Sequence, residues 1–199
     1  MTAHPLVRGG RALAVLAAVT AIAAAAAALA LSGGPPARAF PALAPAAAPA
    51  GWPHLTLPDG TAVLSYPPSL RPAGSDADAV SAARVSPRGT FQLYLNATPR
   101  QGGEQPRGWA AFRLRLLTAD DAVSAREVAA AQHVRFRGGT GSCVIDTYLT
   151  RTGAHHYQEI ACLVQGRTSA SVIVAAAPAA TWAQASPLLL RAVAAYQVR

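Results

Sequence analysis

The sequence is poor in charged and aromatic side chains, and it contains no lysine. Charged residues make up 13% of the 199 residues and aromatic residues 6%, whereas charged residues supply roughly 25% of a typical soluble domain. So low a charge content excludes a charge-driven disordered chain and a charge-patterned coiled coil. All 17 basic residues are arginine, a bias that indicates a GC-rich coding genome rather than a mechanism.

Cysteine is scarce as well, because the whole chain has only 2. This number excludes a disulfide-dense miniprotein. Neither cysteine lies near the N-terminal apolar run, which excludes lipid attachment at a lipobox. Alanine is the abundant residue: the chain has 49, of which 21 lie in the first fifty residues. The hydrophobic content of 52% therefore averages segments of different kinds.

The N-terminal segment has the pattern of an export signal. Arg8 and Arg11 precede an uncharged run from Ala12 to Leu31, as at the start of a signal peptide. A helix of this length is about 30 Å long and reaches across the hydrocarbon core of a membrane. Ala37-Arg38-Ala39, however, is also a suitable signal-peptidase site. Residues 1–31 are predicted to be a cleaved signal peptide or a retained anchor helix, with the rest of the chain outside the cytoplasm in both cases.

Residues 32–53 are predicted to be an extended, semi-rigid linker. They contain six prolines and many alanines, a composition that has little to bury. Residues 54–199 remain as one extracytoplasmic domain. Beyond the N-terminal Arg8, Arg11 and Arg38, 14 arginines stand against 9 acids. They are scattered without interleaved aromatics, so no nucleic acid is expected, and an anionic envelope component is the more natural partner.

The domain pattern predicts an α+β fold with a largely antiparallel sheet. Two pairs of strand-like runs flank turn signals at Pro58-Asp59-Gly60 and at residues 86–89. In the second pair, Phe91, Leu93 and Leu95 alternate with polar residues. Three further β runs are predicted over residues 143–150, 155–164 and 169–176. Residues 123–136 are rich in alanine and fit a helix or a strand.

Two helices are predicted to cover the sheet. Trp109, Phe112 and Leu116 recur at helical spacing, which places Arg113 and Arg115 off the apolar face. Near the C-terminus, Ser186 followed by Pro187 has the pattern of an N-cap and a first helical position.

The segment from Gly141 to Gln165 predicts a hairpin and a disulfide. If Thr152-Gly153 is the loop, opposing residues have numbers that add up to 305, and Cys143 then faces Cys162. Facing residues in antiparallel strands lie about 4.5–5.5 Å apart between Cα atoms, within the range that a disulfide needs. In an exported chain this geometry predicts a disulfide, with two buried thiols as the alternative.

The same register places Asp146 opposite Glu159 on the other face, with His155 nearby. Two like charges directly opposed are destabilising, so a neutralising group is expected. Arg135 or Arg137 is the expected partner, with a bound cation as an alternative and a catalytic carboxylate pair as a third.

No other motif predicts an enzyme. His155 and His156 point to opposite faces of a strand and do not form a metal-binding pair. The Gly-rich run 138–142 lacks the lysine of a phosphate-binding P-loop and is read as a flexible turn. No G-x-S-x-G elbow for a serine nucleophile is present. No catalytic residue, metal site or cofactor is therefore predicted.

Four motifs carry a resemblance: Tyr66-Pro67, Leu93-Tyr94-Leu95-Asn96-Ala97-Thr98-Pro99, Gly141-Ser142-Cys143-Val144-Ile145-Asp146 and Gln158-Glu159-Ile160-Ala161-Cys162. With them the chain resembles uncharacterised secreted or membrane-anchored actinobacterial proteins, which are similar to the PsbP-like α/β/α sandwich family. The resemblance implies a binding or assembly module and assigns no catalytic residue.

Together these observations predict a non-enzymatic extracytoplasmic binding or assembly module of the cell envelope. Its partner would be an envelope protein or an anionic envelope component, with the membrane reached through the N-terminal helix if that helix is uncleaved. The alternative is a small-ligand-binding or hydrolytic domain that uses the face of Asp146, Glu159 and His155.

Overall fold

The computed structural model describes residues 39–199. The predicted N-terminal hydrophobic helix, the signal or anchor over residues 1–31 and the first part of the predicted linker, residues 32–38, lie outside the described residues. Within residues 39–199, no helix is both long enough and apolar enough to cross a membrane.

The described residues form a chain of strands interrupted by two helices. In sequence order the elements are β1 His54–Thr56, β2 Ala62–Ser65, β3 Arg71–Ala73, β4 Val80–Val85, β5 Phe91–Pro99, α1 Trp109–Asp120, β6 Ala122–Phe136, β7 Gly139–Thr150, β8 His156–Gln165, β9 Ala170–Pro178, α2 Trp182–Ala195 and β10 Gln197–Val198. A single 3-10 turn, Ala179–Thr181, leads into α2. The Ala-rich segment that fitted a helix or a strand is the 15-residue strand β6.

The strands form two sheets. The larger sheet has seven strands in the order β3-β4-β5-β9-β8-β7-β6, and the smaller has three in the order β1-β2-β10. Every pair of neighbouring strands is antiparallel. The predicted α+β fold with a largely antiparallel sheet is therefore confirmed.

Both predicted N-terminal hairpins are present, and their turns follow from their residues. At the first turn, Asp59 Oδ1 accepts hydrogen bonds from the backbone N–H and the hydroxyl of Thr61, at 2.9 and 2.7 Å. Gly60 has a φ of +73°, a conformation that glycine adopts at no steric cost. At the second turn, the Ser86 N–H donates to the Thr90 carbonyl at 2.8 Å.

The seven-stranded sheet is covered on both faces because its side chains alternate between two apolar layers. One layer packs against α2 and the small sheet, with these fully buried residues among its members: Leu64, Leu95, Ile160, Cys162, Ile173, Leu189, Val193 and Tyr196. The other layer packs against α1 and contains Trp109, Val144, Ala161, Leu163, Val172 and Val174. The helices therefore lie on opposite faces of the sheet.

Helix α2 differs from its prediction, because it begins at Trp182 and contains Pro187 in its interior. The predicted cap at Ser186 is wrong. The N-cap residue is Thr181, which makes no side-chain capping bond. Pro187 has no backbone N–H, so it cannot donate a hydrogen bond to the carbonyl of Ala183, four residues earlier in α2. Burial of Leu189 and Val193 against the sheet stabilises the helix despite this loss.

Part of the predicted linker is packed on the domain. Residues 39–53 contain no helix or strand, but Phe40, Leu43 and Trp52 pack against the main core. The Ala46 N–H also donates to the Ala194 carbonyl at 2.9 Å. These three large apolar side chains supply the contact surface. The composition of the whole segment, which is mostly alanine and proline, did not predict it.

Candidate functional site

The β7–β8 hairpin has the predicted register. Cys143 faces Cys162 and Asp146 faces Glu159, and the Thr150 N–H donates to the His155 carbonyl at 2.9 Å at the end of the ladder. The turn covers four residues, 151–154, and is therefore longer than Thr152-Gly153 but centred on that pair.

The predicted disulfide between Cys143 and Cys162 is confirmed. Their Cα atoms are 4.1 Å apart, 18 residues separate them along the chain, and both side chains are buried in the layer beneath α2. A disulfide persists in oxidising compartments, which agrees with an extracytoplasmic location. The bond joins the two strands on the face opposite to the acids.

The acids lie in one row that crosses the sheet. Register pairs place Tyr94, Ala176, Glu159, Asp146 and Glu127 side by side on β5, β9, β8, β7 and β6. Glu159 and Asp146 are almost inaccessible, at 1% and 0% exposure. Because the row lies on the face that carries α1, the helix covers the two central acids.

The partner of this pair is Arg113 of α1, and neither Arg135 nor Arg137. Arg113 Nε and Nη2 lie 2.8 and 2.7 Å from Glu159 Oε1. Burial works to lower the pKa of Arg113, but the charge and hydrogen bond of Glu159, with smaller contributions from Asp146 and Tyr148, together raise this pKa. The prediction was wrong because Arg113 was assigned to the polar face of α1. The helix buries Trp109 and Leu117, while Leu116 is exposed, so the face that meets the sheet is rotated.

Asp146 has no partner of its own. Both of its carboxyl oxygens are buried without a hydrogen bond from the described residues. Burial, together with the negative charge of Glu159, raises the pKa of Asp146 to about 9. Asp146 is therefore neutral at pH 7, which removes the like-charge repulsion that the sequence predicted.

A groove runs along the sheet beside α1. Its volume is about 530 Å³, within the range of roughly 300–1,000 Å³ that is usual for ligand sites. The floor comes from β5, β9 and β8, and α1 forms one wall with Trp109, Arg113 and Leu116. The groove exists because α1 packs mainly over β6 and β7 and covers β9 only in part. Val172 and Val174 of β9 share the apolar layer of Trp109, and both also line the cavity.

The groove has an aromatic lining. Phe91, Tyr94, Trp109, Tyr148 and Tyr157 contribute to it. The Trp109 indole is fixed by its Nε1–H, which donates to the Ala161 carbonyl at 2.9 Å. Burial raises the pKa of Tyr148 and, to a smaller degree, that of Tyr157, so both phenols stay neutral over the physiological range.

One end of the groove is polar. Asp76 lies in the loop before β4, and Gln101 and Glu104 lie in the segment after β5. Since the first residue of β4, Val80, pairs with Ala97 near the end of β5, these two loops meet at the same edge of the groove. Glu104 is 8% exposed. Its Oε1 accepts the Gln101 N–H at 3.1 Å, while its Oε2 is buried without a partner among residues 39–199.

Phe91 reaches this groove through an irregularity that the alternating pattern did not predict. The ladder passes from Arg84 opposite Leu93 to Val85 opposite Phe91, so Gln92 is an extra residue on β5. The bulge turns Phe91 away from Leu93 and Leu95 and brings its ring 5.0 Å from that of Tyr94. The sequence signal nearest to the bulge is the Pro87-Arg88-Gly89 turn just before β5.

The remaining candidates do not join the site. His155 lies just after the turn, exposed, with its ring 6.2 Å from that of Tyr157. His156 contacts the Thr147 hydroxyl. No group of three or more His, Cys, Asp or Glu residues within 39–199 is arranged to hold a metal ion. Only the first residue of the Gly-rich run, Gly138, lies in a turn. Gly139 and Gly141 belong to the start of β7, where a Cβ would collide with the backbone of β8.

Comparisons with known proteins identify a fold but no family. No protein-family model matches the chain, and no curated protein matches it in sequence. Among solved structures, the cyanobacterial PsbP protein (CyanoP) from Synechocystis is similar, with a TM-score of 0.55 and 10% identity over 77% of this chain and 98% of that one. A Pseudomonas aeruginosa protein of unknown function has a TM-score of 0.44 and 12% identity over 72% and 94%. The chain thus has a PsbP-like fold, whereas the actinobacterial group stays a prediction.

Proposed function

We propose that this chain is a non-enzymatic, extracytoplasmic binding domain that holds a small ligand in the groove beside α1. The observation that carries the proposal is the groove itself: a cavity of about 530 Å³ with an aromatic lining and hydrogen-bonding groups at one end. Sites of this kind bury the apolar body of a ligand and orient it with a few polar contacts.

The arrangement of the acids supports binding over hydrolysis. A hydrolytic site needs an acid and a base that both reach the substrate. Glu159 lines the groove but is held by Arg113. Asp146 is fully buried and is not among the described lining residues, and His155 is exposed just after the hairpin turn. The three residues of the hydrolytic alternative therefore do not converge on one cavity.

A ligand screen by NMR tests the proposal. The amide spectrum of residues 40–199 is recorded with mixtures of small neutral, cationic and anionic compounds. We expect at least one compound to shift resonances that cluster on β5, β9 and α1. Shifts that cluster on another surface, or none with any class of compound, would contradict a groove-based function and favour an assembly module that uses a protein surface.

A groove-filling variant provides the matched comparison. Thr98 lies half-buried on the floor of the groove, so Thr98→Trp places a large ring in the cavity. Thr56→Trp adds the same ring to an exposed position on β1. Binding of the compound should be lost in the first variant and retained in the second, provided that both variants melt cooperatively.

The location outside the cytoplasm and the mode of attachment belong to the same proposal. The Cys143–Cys162 disulfide supports the location. The signal or anchor over residues 1–31 is tested by intact-mass analysis of the protein purified from its native host. A mature chain that begins at Phe40 means cleavage after Ala39, and a chain that retains residues 1–39 in the membrane fraction means an anchor. Full-length protein in the cytosol would contradict both.

A further inference from the structure

The charge of the groove is opposite to that of the chain. Among the described residues, four acids line the cavity, Asp76, Glu104, Asp121 and Glu159, and Arg113 is the one arginine in that described lining. The whole chain, by contrast, carries a formal net charge of +8. A cleft lined by one sign of charge concentrates ions of the other sign. The groove therefore favours a cation, and the anionic partner expected from the net charge does not fit it.

Glu104 supplies an independent indication of a ligand. Its side chain is more than nine-tenths buried and lines the cavity, and its Oε2 accepts no hydrogen bond from residues 39–199. A buried carboxylate oxygen without a donor is costly. A ligand N–H group at this end of the groove would supply the missing donor, and a positively charged group would make the bond a strong one.

The aromatic lining completes the requirements of an organic cation. Ring faces attract a cation through their quadrupole, and they also pack against an apolar body. The floor of the groove follows β5 from Thr98 to Tyr94, with Tyr157 of β8 beside it. At about 3.4 Å per residue these four residues of β5 span roughly 14 Å, which leaves room on the floor for the apolar body of a small ligand.

We infer that the groove binds a small organic cation, with a primary ammonium or guanidinium N–H donating to Glu104 Oε2 and the apolar body lying along the aromatic floor. The inference rests on the proposed function and names its ligand class. Asp76, at the same edge, adds a second negative charge next to the head group. The same head group also occurs on the arginine and lysine side chains of proteins, so the test includes both sources.

The experiment is an NMR titration of residues 40–199 with four probes of similar size. They are 2-phenylethylammonium, its N,N,N-trimethyl analogue, 2-phenylethanol and 3-phenylpropionate. The ammonium compound should bind most tightly with shifts along the groove, the trimethyl analogue more weakly because it has no N–H, and the alcohol and the anion weakest. N-acetyl-arginine methylamide in place of the ammonium compound tests the protein side chain as the source. Tighter binding of N-acetyl-arginine methylamide indicates that the ligand is a protein side chain. Tighter binding of 2-phenylethylammonium indicates that the ligand is a small molecule.

Substitution of the acid gives the second measurement. Glu104→Gln keeps the shape of the side chain and removes its charge, and it should weaken binding of 2-phenylethylammonium by about 10- to 100-fold. Asp76→Asn, in an exposed loop, should weaken binding by a smaller factor without a risk to folding. Asp78→Asn is the matched control, because Asp78 is exposed in the same loop and does not line the cavity.

The outcomes distinguish a wrong ligand class from a wrong proposed function. If the alcohol or the anion binds in the groove as tightly as the ammonium compound, or if Glu104→Gln and Asp76→Asn leave its affinity unchanged, the cation is the wrong ligand class and the groove remains a binding site. If no probe of any charge shifts the resonances of the groove, the proposed function itself is wrong.

Discussion

Asp146 and Glu159 face each other across β7 and β8, both buried, yet within residues 39–199 only Glu159 has a cationic partner. Arg113 neutralises one acid, and a retained proton neutralises the other. The pair therefore carries a single negative charge at pH 7 against a single positive one, which is how the sheet tolerates two acids beneath a helix. Variants of Arg113 and of Asp146 separate these two modes of neutralisation.

Loss of Arg113 should destabilise the domain strongly. Arg113→Met leaves the Glu159 carboxylate buried without its counter-ion, a change that typically costs about 3–5 kcal/mol of unfolding free energy. Arg115→Met removes the same charge from an exposed position on the same helix and should change the free energy by less than about 0.5 kcal/mol. Urea unfolding of both variants measures the difference.

The double variant Arg113→Met/Glu159→Leu should recover most of that loss, because an apolar pair of similar volume carries no buried charge. Equal stability of Arg113→Met and Arg115→Met would mean that the ion pair contributes nothing.

The stability of the domain should fall as the pH rises from about 4 to 9, through the proton held by Asp146. The unfolded chain releases this proton near its ordinary pKa of 3.8, whereas burial and Glu159 raise the native pKa to about 9. The native state then binds more protons than the unfolded state over this range, so the free energy of unfolding decreases with pH. The slope from one such group is at most about 1.4 kcal/mol per pH unit.

Asp146→Asn cannot ionise, and its urea unfolding measured from pH 5 to 9 should therefore show a smaller decline than the wild type. Four ionisable groups face Asp146, namely Glu159, Glu127, Arg113 and Tyr148. The variant leaves all four unchanged. Asp120→Asn, at an exposed position at the end of α1, is the control and should keep the wild-type slope. Parallel curves for wild type and Asp146→Asn would show that Asp146 is ionised in the native state.

Removal of the disulfide should destabilise the domain by about 2–4 kcal/mol, as expected when a bond closes a loop of this length. The variant is Cys143→Ala/Cys162→Ala, because a single substitution leaves a free thiol in the core. Urea unfolding compares it with the oxidised and the reduced wild type. The reduced wild type should be similar to the variant, and alkylation of both thiols without reductant would show that the bond does not form.

Replacement of the proline within α2 should stabilise the domain. Pro187 is exposed, so Pro187→Ala removes no buried contact. The substitution restores the N–H that can donate to the Ala183 carbonyl, with an expected gain of about 1–3 kcal/mol. Thermal unfolding monitored by circular dichroism measures it. An unchanged or lower midpoint would mean that the helix depends on the fixed backbone of Pro187.

Gly138 and Gly89 form a matched pair for the attachment of the C-terminal strand. Both have positive φ values, +84° and +81°, and alanine at either position pays the same conformational cost. A Cβ at Gly138 would also collide with the Val198 carbonyl, whereas a Cβ at Gly89 meets nothing within 4 Å. Gly138→Ala should therefore lose more stability than Gly89→Ala by at least about 1 kcal/mol, and hydrogen exchange should increase at β10. Equal losses of stability in the two variants would mean that β10 shifts to accommodate the added Cβ without a cost in unfolding free energy.

Local patterns in the sequence were sufficient to predict the hairpins but not the packing of the helices. The register of β7 and β8 follows from one turn and two cysteines, so Cys143–Cys162 and Asp146–Glu159 were predicted correctly. The partnership of Arg113 and Glu159 joins residues 46 positions apart, and it depends on a rotation of α1 that Trp109, Phe112 and Leu116 left open. The groove was not predicted either, because it is a space left beside α1 and depends on which strands the helix does not cover.

The small sheet has a consequence for the order in which the chain folds. Its central strand β2 pairs with β1 on one side and with β10 on the other, which places Ala62 beside Val198. A polypeptide that crosses a membrane N-terminus first exposes β2 early and cannot close this sheet until residues 197–198 have emerged. Until then β2 is paired on one side alone, and the unfinished sheet presents a free strand edge.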